Sequence, residues 1–155
     1  MSLLFNVCHL SPEFSNAYSA DMYPELMLKT KRPYCCLFIN LGIYQVCIPY
    51  RSNILHKYAY MFNKSARSAN KKSGLDYSKV VIITKLEYLD VKQAVVDQDE
   101  YRETRDNIQK IVDGITLYID EYVGHMKGKK ILHCREFDRK YKYSTLKYFH
   151  SELGI

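Results

Sequence analysis

The sequence predicts an α+β fold in which helices cover a small, twisted antiparallel sheet or barrel. Two observations predict the sheet. Apolar runs at Tyr34–Leu41 and Tyr44–Ile48 flank a glycine, which favours a hairpin, and the β-branched run Lys79–Thr84 is typical of a buried strand. A third observation predicts one long helix, because apolar residues recur at helical spacing through Asp97–Lys127. The length suits a single domain, residues 1–155, with its own core.

The remaining elements follow the same local signals. Ser11-Pro12-Glu13 is typical of a helix start, with a capping side chain, a proline at the first position and an acid in the first turn. Gly114 lies inside the long predicted helix, where it either weakens the helix or permits close packing. The other predicted segments are strands at Leu3–Leu10 and Leu89–Val96, a short helix at Ile54–Phe62, a mobile polar loop at Asn63–Ser73, and a final helix from Ser144 to Gly154.

Positive charge is concentrated in two segments that an acidic segment separates. The chain carries 23 Lys+Arg against 17 Asp+Glu, a net charge of +6. Arg51–Lys85 holds eight bases and one acid, and Lys129–Lys147 holds seven bases and two acids, whereas Asp97–Lys127 holds eight acids and four bases. This distribution predicts one anion-binding face. The 15 tyrosines add surfaces that can stack on bases.

Composition argues against several other classes. The five cysteines are odd in number and lack C-x-x-C spacing, which disfavours a disulfide framework or a zinc site and predicts reduced thiols in the cytoplasm. His133 and Cys134 are adjacent rather than ligand-spaced, so neither a metal nor another cofactor is predicted. No apolar stretch is long enough to span a bilayer, and Met1–Leu10 lacks the basic start of a signal peptide. No membrane partner is therefore expected.

The stretch Ile48–His56 is the most informative part of the chain. Pro49 lacks a backbone N–H and suits the end of a strand, and Ser52 is a good cap for the predicted short helix. The hydroxyl, the first free N–H groups and the helix dipole would then face one anion site. Arg51 lies beside that site, and His56 lies four residues on from the cap, on the same helical face. The same residues also fit an ordinary cap, a solvated arginine and a structural histidine.

This set of groups suits the cleavage of RNA at its own 2′-hydroxyl. That reaction requires a base for the 2′ proton, donors for the phosphorane charge and an acid for the leaving 5′-oxygen. His56 is the predicted acid–base group, and Arg51 and Ser52 are predicted to hold the phosphate. Asp76 is assigned to fixing its own turn. The predicted RNA-binding residues are Tyr50, Asn53, Lys57, Lys64, Arg67, Lys71, Lys72, Lys79, Lys85, Lys129, Lys130, Arg139 and Lys142.

Several motifs resemble a known family. They are Arg32-Pro33-Tyr34, Ile48-Pro49-Tyr50-Arg51-Ser52-Asn53-Ile54, His56, and Gly74-Leu75-Asp76-Tyr77-Ser78-Lys79-Val80-Val81-Ile82-Ile83. In sequence and spacing they are similar to type III toxin–antitoxin endoribonucleases of the CptN/TenpN branch, with ToxN and AbiQ as more distant relatives. The resemblance covers most of the chain, is strongest between Arg32 and Ile83, and is more specific in combination than any single motif.

The resemblance implies a strongly curved antiparallel sheet like that of the Kid/MazF toxins, with added peripheral helices. It implies sequence-specific, metal-independent cleavage of cellular or phage RNA that leaves a 2′,3′-cyclic phosphate. It also implies an antitoxin that is an RNA pseudoknot, cut from a repeat precursor by the toxin and bound in a closed toxin–RNA ring, with no protein antitoxin. Ser52 matches the serine of the Thr-Ser pair in ToxN, whereas Arg51 replaces the threonine, and Phe14 takes the place of a tyrosine.

Two other function classes fit parts of the sequence. A non-catalytic RNA- or DNA-binding module would use the basic segments and the tyrosines but would have no need of His56. A protein–protein adaptor would use the long amphipathic helix but leaves the charge of Arg51–Lys85 unexplained.

Overall fold

The computed structural model describes residues 5–28, 35–90 and 96–155. These residues form an α+β fold with a seven-stranded antiparallel sheet and five α-helices, so the predicted α+β class and the antiparallel sheet are confirmed. The strands are β1 (Phe5–Leu10), β2 (Cys35–Asn40), β3 (Gln45–Arg51), β4 (Ala59–Met61), β5 (Gly74–Asp76), β6 (Val81–Ile82) and β7 (Leu89–Asp90). The helices are α1 (Pro12–Ala17), α2 (Ala66–Lys71), α3 (Gln98–Asp106), α4 (Ile108–Met126) and α5 (Cys134–Tyr141).

The strands pair in the order β4–β5–β3–β2–β1–β7, and β6 also pairs with β3. Every pairing is antiparallel. Among the described residues the outermost strands, β4 and β7, do not pair with each other, so the sheet is open rather than closed into a barrel. In those residues no helix has the length and apolar character to cross a membrane.

The predicted hairpin is confirmed, and its second strand ends at Arg51, one of the predicted catalytic residues. Strands β2 and β3 pair with Leu37 opposite Ile48, and the turn contains Gly42 at a φ of +89°, which glycine adopts without a Cβ penalty. Pro49 does not end the strand as predicted, because β3 continues to Arg51. The proline lies between the part of β3 that pairs with β6 and the part that pairs with β5. On the side of β3 that faces β5 and β6, the missing N–H of Pro49 therefore removes no hydrogen bond between strands.

Helix α1 begins as predicted. The Ser11 hydroxyl accepts the N–H of Phe14 at 3.3 Å, Pro12 occupies the first turn, and the ring of Phe14 is fully buried. The Leu3–Leu10 prediction is confirmed from Phe5 onward, and its first residues lie outside the described part of the chain. So do Arg32-Pro33-Tyr34 of the family motif and most of Leu89–Val96.

The single helix predicted over Asp97–Lys127 is in fact two helices. Asp97 caps α3 by accepting the N–H groups of Asp99 and Glu100 at 2.9 and 3.1 Å. The helix ends at Asn107, which leaves helical geometry at φ −119° and ψ 23° while its side chain bonds the carbonyl of Glu103. Asparagine side chains compete in this way for backbone groups. The helical spacing of apolar residues continues into α4, so the sequence pattern does not reveal the break between the two helices.

Gly114 permits close packing. A Cβ at this position would lie 2.9 Å from two ring carbons of Tyr77, closer than real Cβ contacts allow. Tyr77 is itself buried and sits in the short turn Tyr77–Lys79 that follows β5. The glycine therefore lets α4 approach the segment that carries the candidate site.

We expect Gly114→Ala to lower the free energy of unfolding by about 1–3 kcal/mol, the usual cost of overpacking a core. Chemical denaturation measures this directly. Gly124→Ala is the matched control, because it lies in the same helix and its new Cβ would come no closer than 3.9 Å to another residue. Equal stability of the two variants would contradict the packing role of Gly114.

The predicted helix at Ile54–Phe62 is wrong. Residues 52–58 are irregular, and Ala59–Met61 forms β4, paired with β5 through Tyr60 opposite Leu75. The predicted loop at Asn63–Ser73 is also wrong in part, because it contains α2, capped by Ser65. Long-range contacts with α3 override the local signals of this segment.

Those contacts come from two buried carboxylates of α3. Glu103 accepts the N–H groups of Asn63 and Lys64 at 3.1 Å and the hydroxyl of Tyr60 at 3.0 Å. Burial, with Glu103 alongside, raises the pKa of the Tyr60 hydroxyl to about 12. The acidic helix therefore fixes a segment that the sequence predicts to be mobile.

Glu100 fixes the next part of the same segment. Its carboxylate accepts the hydroxyls of Ser65 at 3.0 Å and Ser73 at 2.6 Å, and the guanidinium of Arg67 lies 3.8 Å away. Glu100 and Glu103 are only 1% and 3% exposed, so these partners replace the water that the carboxylates lose.

Two further boundaries differ from the prediction. In the buried run Lys79–Thr84 only Val81–Ile82 forms a strand, because Tyr77–Lys79 turns before it. Ser144 does cap a helical turn, accepting the N–H of Leu146 at 3.2 Å, but that turn is a short 3₁₀ segment, Thr145–Tyr148, and does not extend to Gly154.

Candidate active site

The candidate site is organised around Asp76, at the end of β5. Its carboxylate is fully buried and forms a hydrogen-bonded ion pair with Arg51, at the end of β3. It also contacts Nε2 of His56 at 3.2 and 3.3 Å and accepts the hydroxyl of Ser78 at 2.6 Å. Asp76 fixes its own turn as predicted, since it accepts the N–H of Ser78 at 3.0 Å. It also joins the two predicted catalytic side chains, which the sequence analysis did not foresee.

The surroundings of Asp76 keep it ionised. Burial alone would raise the pKa of this carboxyl, but hydrogen bonds from His56 and Ser78 and the charges of His56 and Arg51 lower it below its usual value of 3.8. A buried carboxylate of this kind can stabilise positive charge that develops on the imidazole.

The backbone determines which nitrogen of His56 can accept a proton. Nδ1 accepts the N–H of Tyr58 at 3.0 Å, and an amide N–H can only donate, so Nδ1 carries no proton. In the neutral ring the proton is on Nε2, facing Asp76. The available lone pair is at Nδ1, once the Tyr58 amide releases it.

Ser52 and Asn53 lie at the corner after β3 but outside any helix. No described helix begins at Ser52, so the anion site predicted from a capped helix start is wrong, and Ser52→Ala removes no cap. Asn53 adopts a left-handed φ of +59° and donates its N–H to the carbonyl of Lys71. Asparagine tolerates this geometry better than most residues. The side chain of Ser52 is half-buried and that of Asn53 is exposed.

A basic cleft adjoins this corner. It has a volume of about 450 Å³ and opens between the residues after His56 and helix α5. His56 does not line the cleft itself, but its ring stacks on the ring of the lining residue Tyr58, with centroids 5.8 Å apart. The cleft is lined by Lys57, Tyr58, His133, Arg135, Glu136, Arg139 and Lys140.

Lys140 is the best-positioned cation of the cleft. Its ammonium lies 5.8 Å from the ring centres of Tyr58 and Tyr118 and 5.6 Å from that of Tyr141, where cation–π attraction holds it. It also pairs with Glu121 of α4. Helix α5 is thereby held so that its basic face lies opposite Tyr58.

The structure brings only some of the predicted RNA-binding residues to the cleft. Lys57 and Arg139 line it. Others are exposed on the surface elsewhere: Asn53, Lys64, Lys71, Lys72, Lys85, Lys129, Lys130 and Lys142. Among these, Lys85 lies 3.9 Å from Glu87. Arg67 is half-buried and faces Glu100.

Two of the predicted residues are turned into the protein. Lys79 is buried, and its ammonium donates to Glu25 at 3.0 Å and to the carbonyl of Tyr143 at 2.7 Å. It therefore does not reach the surface as predicted. Tyr50 stacks on Phe62 and hydrogen-bonds Thr104 at 3.0 Å, so its ring is not free to stack on a base.

Sequence reasoning missed Ser78 as well as the linking role of Asp76. It counted Arg135 and Lys140 only as part of a basic segment and noted His133 only for the missing metal-ligand spacing. A signal did exist for Lys140, because it lies beside the predicted Arg139 in the last turn of α5, where basic residues favour the end of a helix. No signal of that kind points from α5 to Tyr58, since the contact is made by tertiary packing.

Comparison of the chain with family models, curated proteins and solved structures gives no match. The resemblance to type III toxins therefore depends on the sequence motifs alone.

Proposed function

We propose that the protein is a metal-independent, sequence-specific endoribonuclease, the toxin of a type III toxin–antitoxin system. The observation that carries this proposal is the junction of two features: the His56–Asp76–Arg51 cluster and the basic cleft bordered by Tyr58. A phosphodiester chain needs cations along its length and one titratable group at the bond that breaks. At this corner of the protein, the cations of the cleft lie close to the imidazole of His56.

In the proposed mechanism His56 takes the 2′ proton at Nδ1. The Tyr58 amide releases that nitrogen as the ribose hydroxyl approaches, and Asp76 stabilises the imidazolium through Nε2. Arg51 keeps its bond to Asp76 and offers its remaining N–H groups to the phosphate. Ser52 supplies a hydroxyl donor to the developing phosphorane charge. The 2′-oxygen bonds to phosphorus as the bond between phosphorus and the 5′-oxygen breaks, and a solvent water gives the leaving 5′-oxygen its proton. The proposed mechanism uses only groups of the protein and solvent, so it needs no metal.

The cleft along α5 would hold the RNA on one side of the cleaved bond. Lys57, Arg135, Arg139 and Lys140 supply four cations against the single acid Glu136. The proposed inhibitor is the pseudoknot RNA that the motifs imply, bound across this surface in a closed ring, and the proposed location is the cytoplasm. The strongly curved Kid/MazF-like form of the sheet belongs to the same proposal.

The test is direct. Purified protein is incubated with labelled RNA in excess EDTA, and the new ends are analysed for a 2′,3′-cyclic phosphate. We expect cleavage in EDTA with cyclic ends, and an RNA that co-purifies when the protein is expressed with its native upstream DNA. Intact RNA together with tight RNA binding would instead support the second candidate, a non-catalytic RNA- or DNA-binding module, which the same cleft fits.

We expect RNA affinity to fall steeply with salt, because cations of the cleft displace counterions from phosphates. Removing one contact by Arg139→Ala should reduce the slope of log K against log salt by about 0.7 for single-stranded RNA. Fluorescence anisotropy between low and moderate salt measures this slope. Lys110→Ala on the exposed face of α4 is the charge-matched control and should leave the slope unchanged. A slope that is the same for wild type and Arg139→Ala would remove the cleft from RNA binding.

A further inference from the structure

Three cysteines converge inside the sheet, away from the candidate active site. Cys8 on β1 lies directly opposite Cys36 on β2, and their sulfurs are 3.7 Å apart. Cys47 on β3 is diagonal to Cys36 on the same face, since its partner is Phe38, two residues further along β2. All three sulfurs lie within 4.8 Å of one another. Sequence spacing predicted no metal site, because it cannot show that three strands bring these thiols together.

The cluster differs from ordinary packing of cysteine. A single buried cysteine packs as a small apolar residue, whereas here three neighbouring strands place sulfur against sulfur. The residues are 0–1% exposed. Three thiols packed against one another in this way form a set of soft ligands for a metal ion.

The spacing fits one small ion. Three sulfurs about 2.3 Å from a common d¹⁰ ion lie about 4 Å apart in a trigonal arrangement. The Cys8–Cys36 pair is already within that spacing, and the widest pair must close by no more than about 0.8 Å to reach it. Small rotations of side chains provide that movement without displacing a strand.

The number and kind of ligands select the metal. Thiolates favour Cu(I), zinc and iron–sulfur clusters, but zinc and those clusters usually take four ligands from the protein in structural sites. Among the described residues the cluster offers three ligands, all sulfur. Cu(I) accepts three sulfur ligands.

We propose that Cys8, Cys36 and Cys47 form a binding site for one Cu(I) ion. Each coordinating thiol releases its proton to solvent, so binding strengthens as pH rises. Entry of the ion requires local opening of the sheet around these strands. The bound ion joins β1, β2 and β3, the strand that ends at Arg51.

The test is an anaerobic titration of reduced protein with Cu(I) against a chromophoric Cu(I) chelator. We expect one equivalent to bind, with absorbance from sulfur-to-copper charge transfer. Cys36→Ser should weaken binding by more than the roughly 10–100-fold that loss of an outer partner costs. Cys35→Ser is the matched control, because this neighbour lies on the opposite face of β2, and Cys134→Ser controls for the exposed thiol.

A second variant guards against a change in folding. Cys47→Val keeps the core apolar and similar in volume, and its melting temperature without metal shows whether it folds. Cu(I) should raise the melting temperature of wild type and of Cys35→Ser but not that of folded Cys47→Val. Binding that is lost only in Cys134→Ser, or that is equal in wild type and Cys47→Val, would overturn the proposal. Neither result depends on RNA cleavage.

Discussion

Replacing His56 with alanine should reduce the rate of RNA cleavage by about a hundred- to ten-thousand-fold, the usual cost of removing a general acid or base. The ring stacks on Tyr58 of the cleft, contacts Asp76 through Nε2 and has its one lone pair at Nδ1. The fold should persist, because Asp76 retains Arg51 and Ser78 as partners. RNA affinity should change little, since the cations of the cleft remain. Single-turnover cleavage, circular dichroism and anisotropy measure the three properties.

Lys64→Ala is the control for this variant, because Lys64 is exposed and its side chain lies outside the cleft lining. It should weaken binding slightly and leave the cleavage rate unchanged. A His56→Ala protein that cuts RNA at nearly the wild-type rate would exclude His56 from the mechanism and leave Arg51 and the lysines to carry it.

The second large effect concerns stability. Asp76→Ala should lower the free energy of unfolding by about 3–5 kcal/mol, the cost of breaking a buried ion pair by removing one partner. The variant leaves Arg51 without its carboxylate and removes the acceptor of Ser78. Urea denaturation measures the loss. Asp113→Ala is the control: this exposed aspartate on α4 accepts a hydrogen bond from Gln109 in the same helix, and surface changes of this kind usually stay within about 0.5 kcal/mol.

The pH dependence of stability distinguishes the contribution of the Asp76 charge from the contribution of its side-chain shape. The pKa of Asp76 is lower in the folded protein than the usual 3.8. Between these two pKa values the unfolded chain therefore binds more protons than the folded protein. The stabilisation is therefore complete above about pH 4 and is lost as pH falls through the lower folded value. Asp76→Asn keeps the shape and should lack this part of the acid destabilisation. Parallel loss of stability in wild type and Asp76→Asn would show that other groups cause the acid transition.

Local signals predict the elements whose contacts are local. The hairpin from Cys35 to Arg51 follows from two apolar runs and a glycine, and the start of α1 follows from Ser11 and Pro12. The same signals fail at Ile54–Phe62. There the pairing of β4 with β5 and the hydrogen bonds from α3 outweigh a helical apolar period.

The candidate site shows the same division. Arg51 and His56 were found because they are close together in the sequence and next to a strand end. Their common partner lies 25 and 20 residues further on, and a lone aspartate two residues after a glycine is typical of a turn. The cleft was missed for a similar reason: Tyr58 and Lys140 meet only after α5 packs on α4.

The backbone at Asn63 and Lys64 has a consequence for how the protein selects anions. Two consecutive N–H groups that point at one oxygen form a concave site for an anion, and in a basic segment such a site would attract phosphate without regard to sequence. Here the carboxylate of Glu103 occupies it. The carboxylate of Glu103 on the acidic helix therefore competes with other anions for these two N–H groups. These two N–H groups of the basic segment are therefore already bonded to Glu103 when another anion approaches.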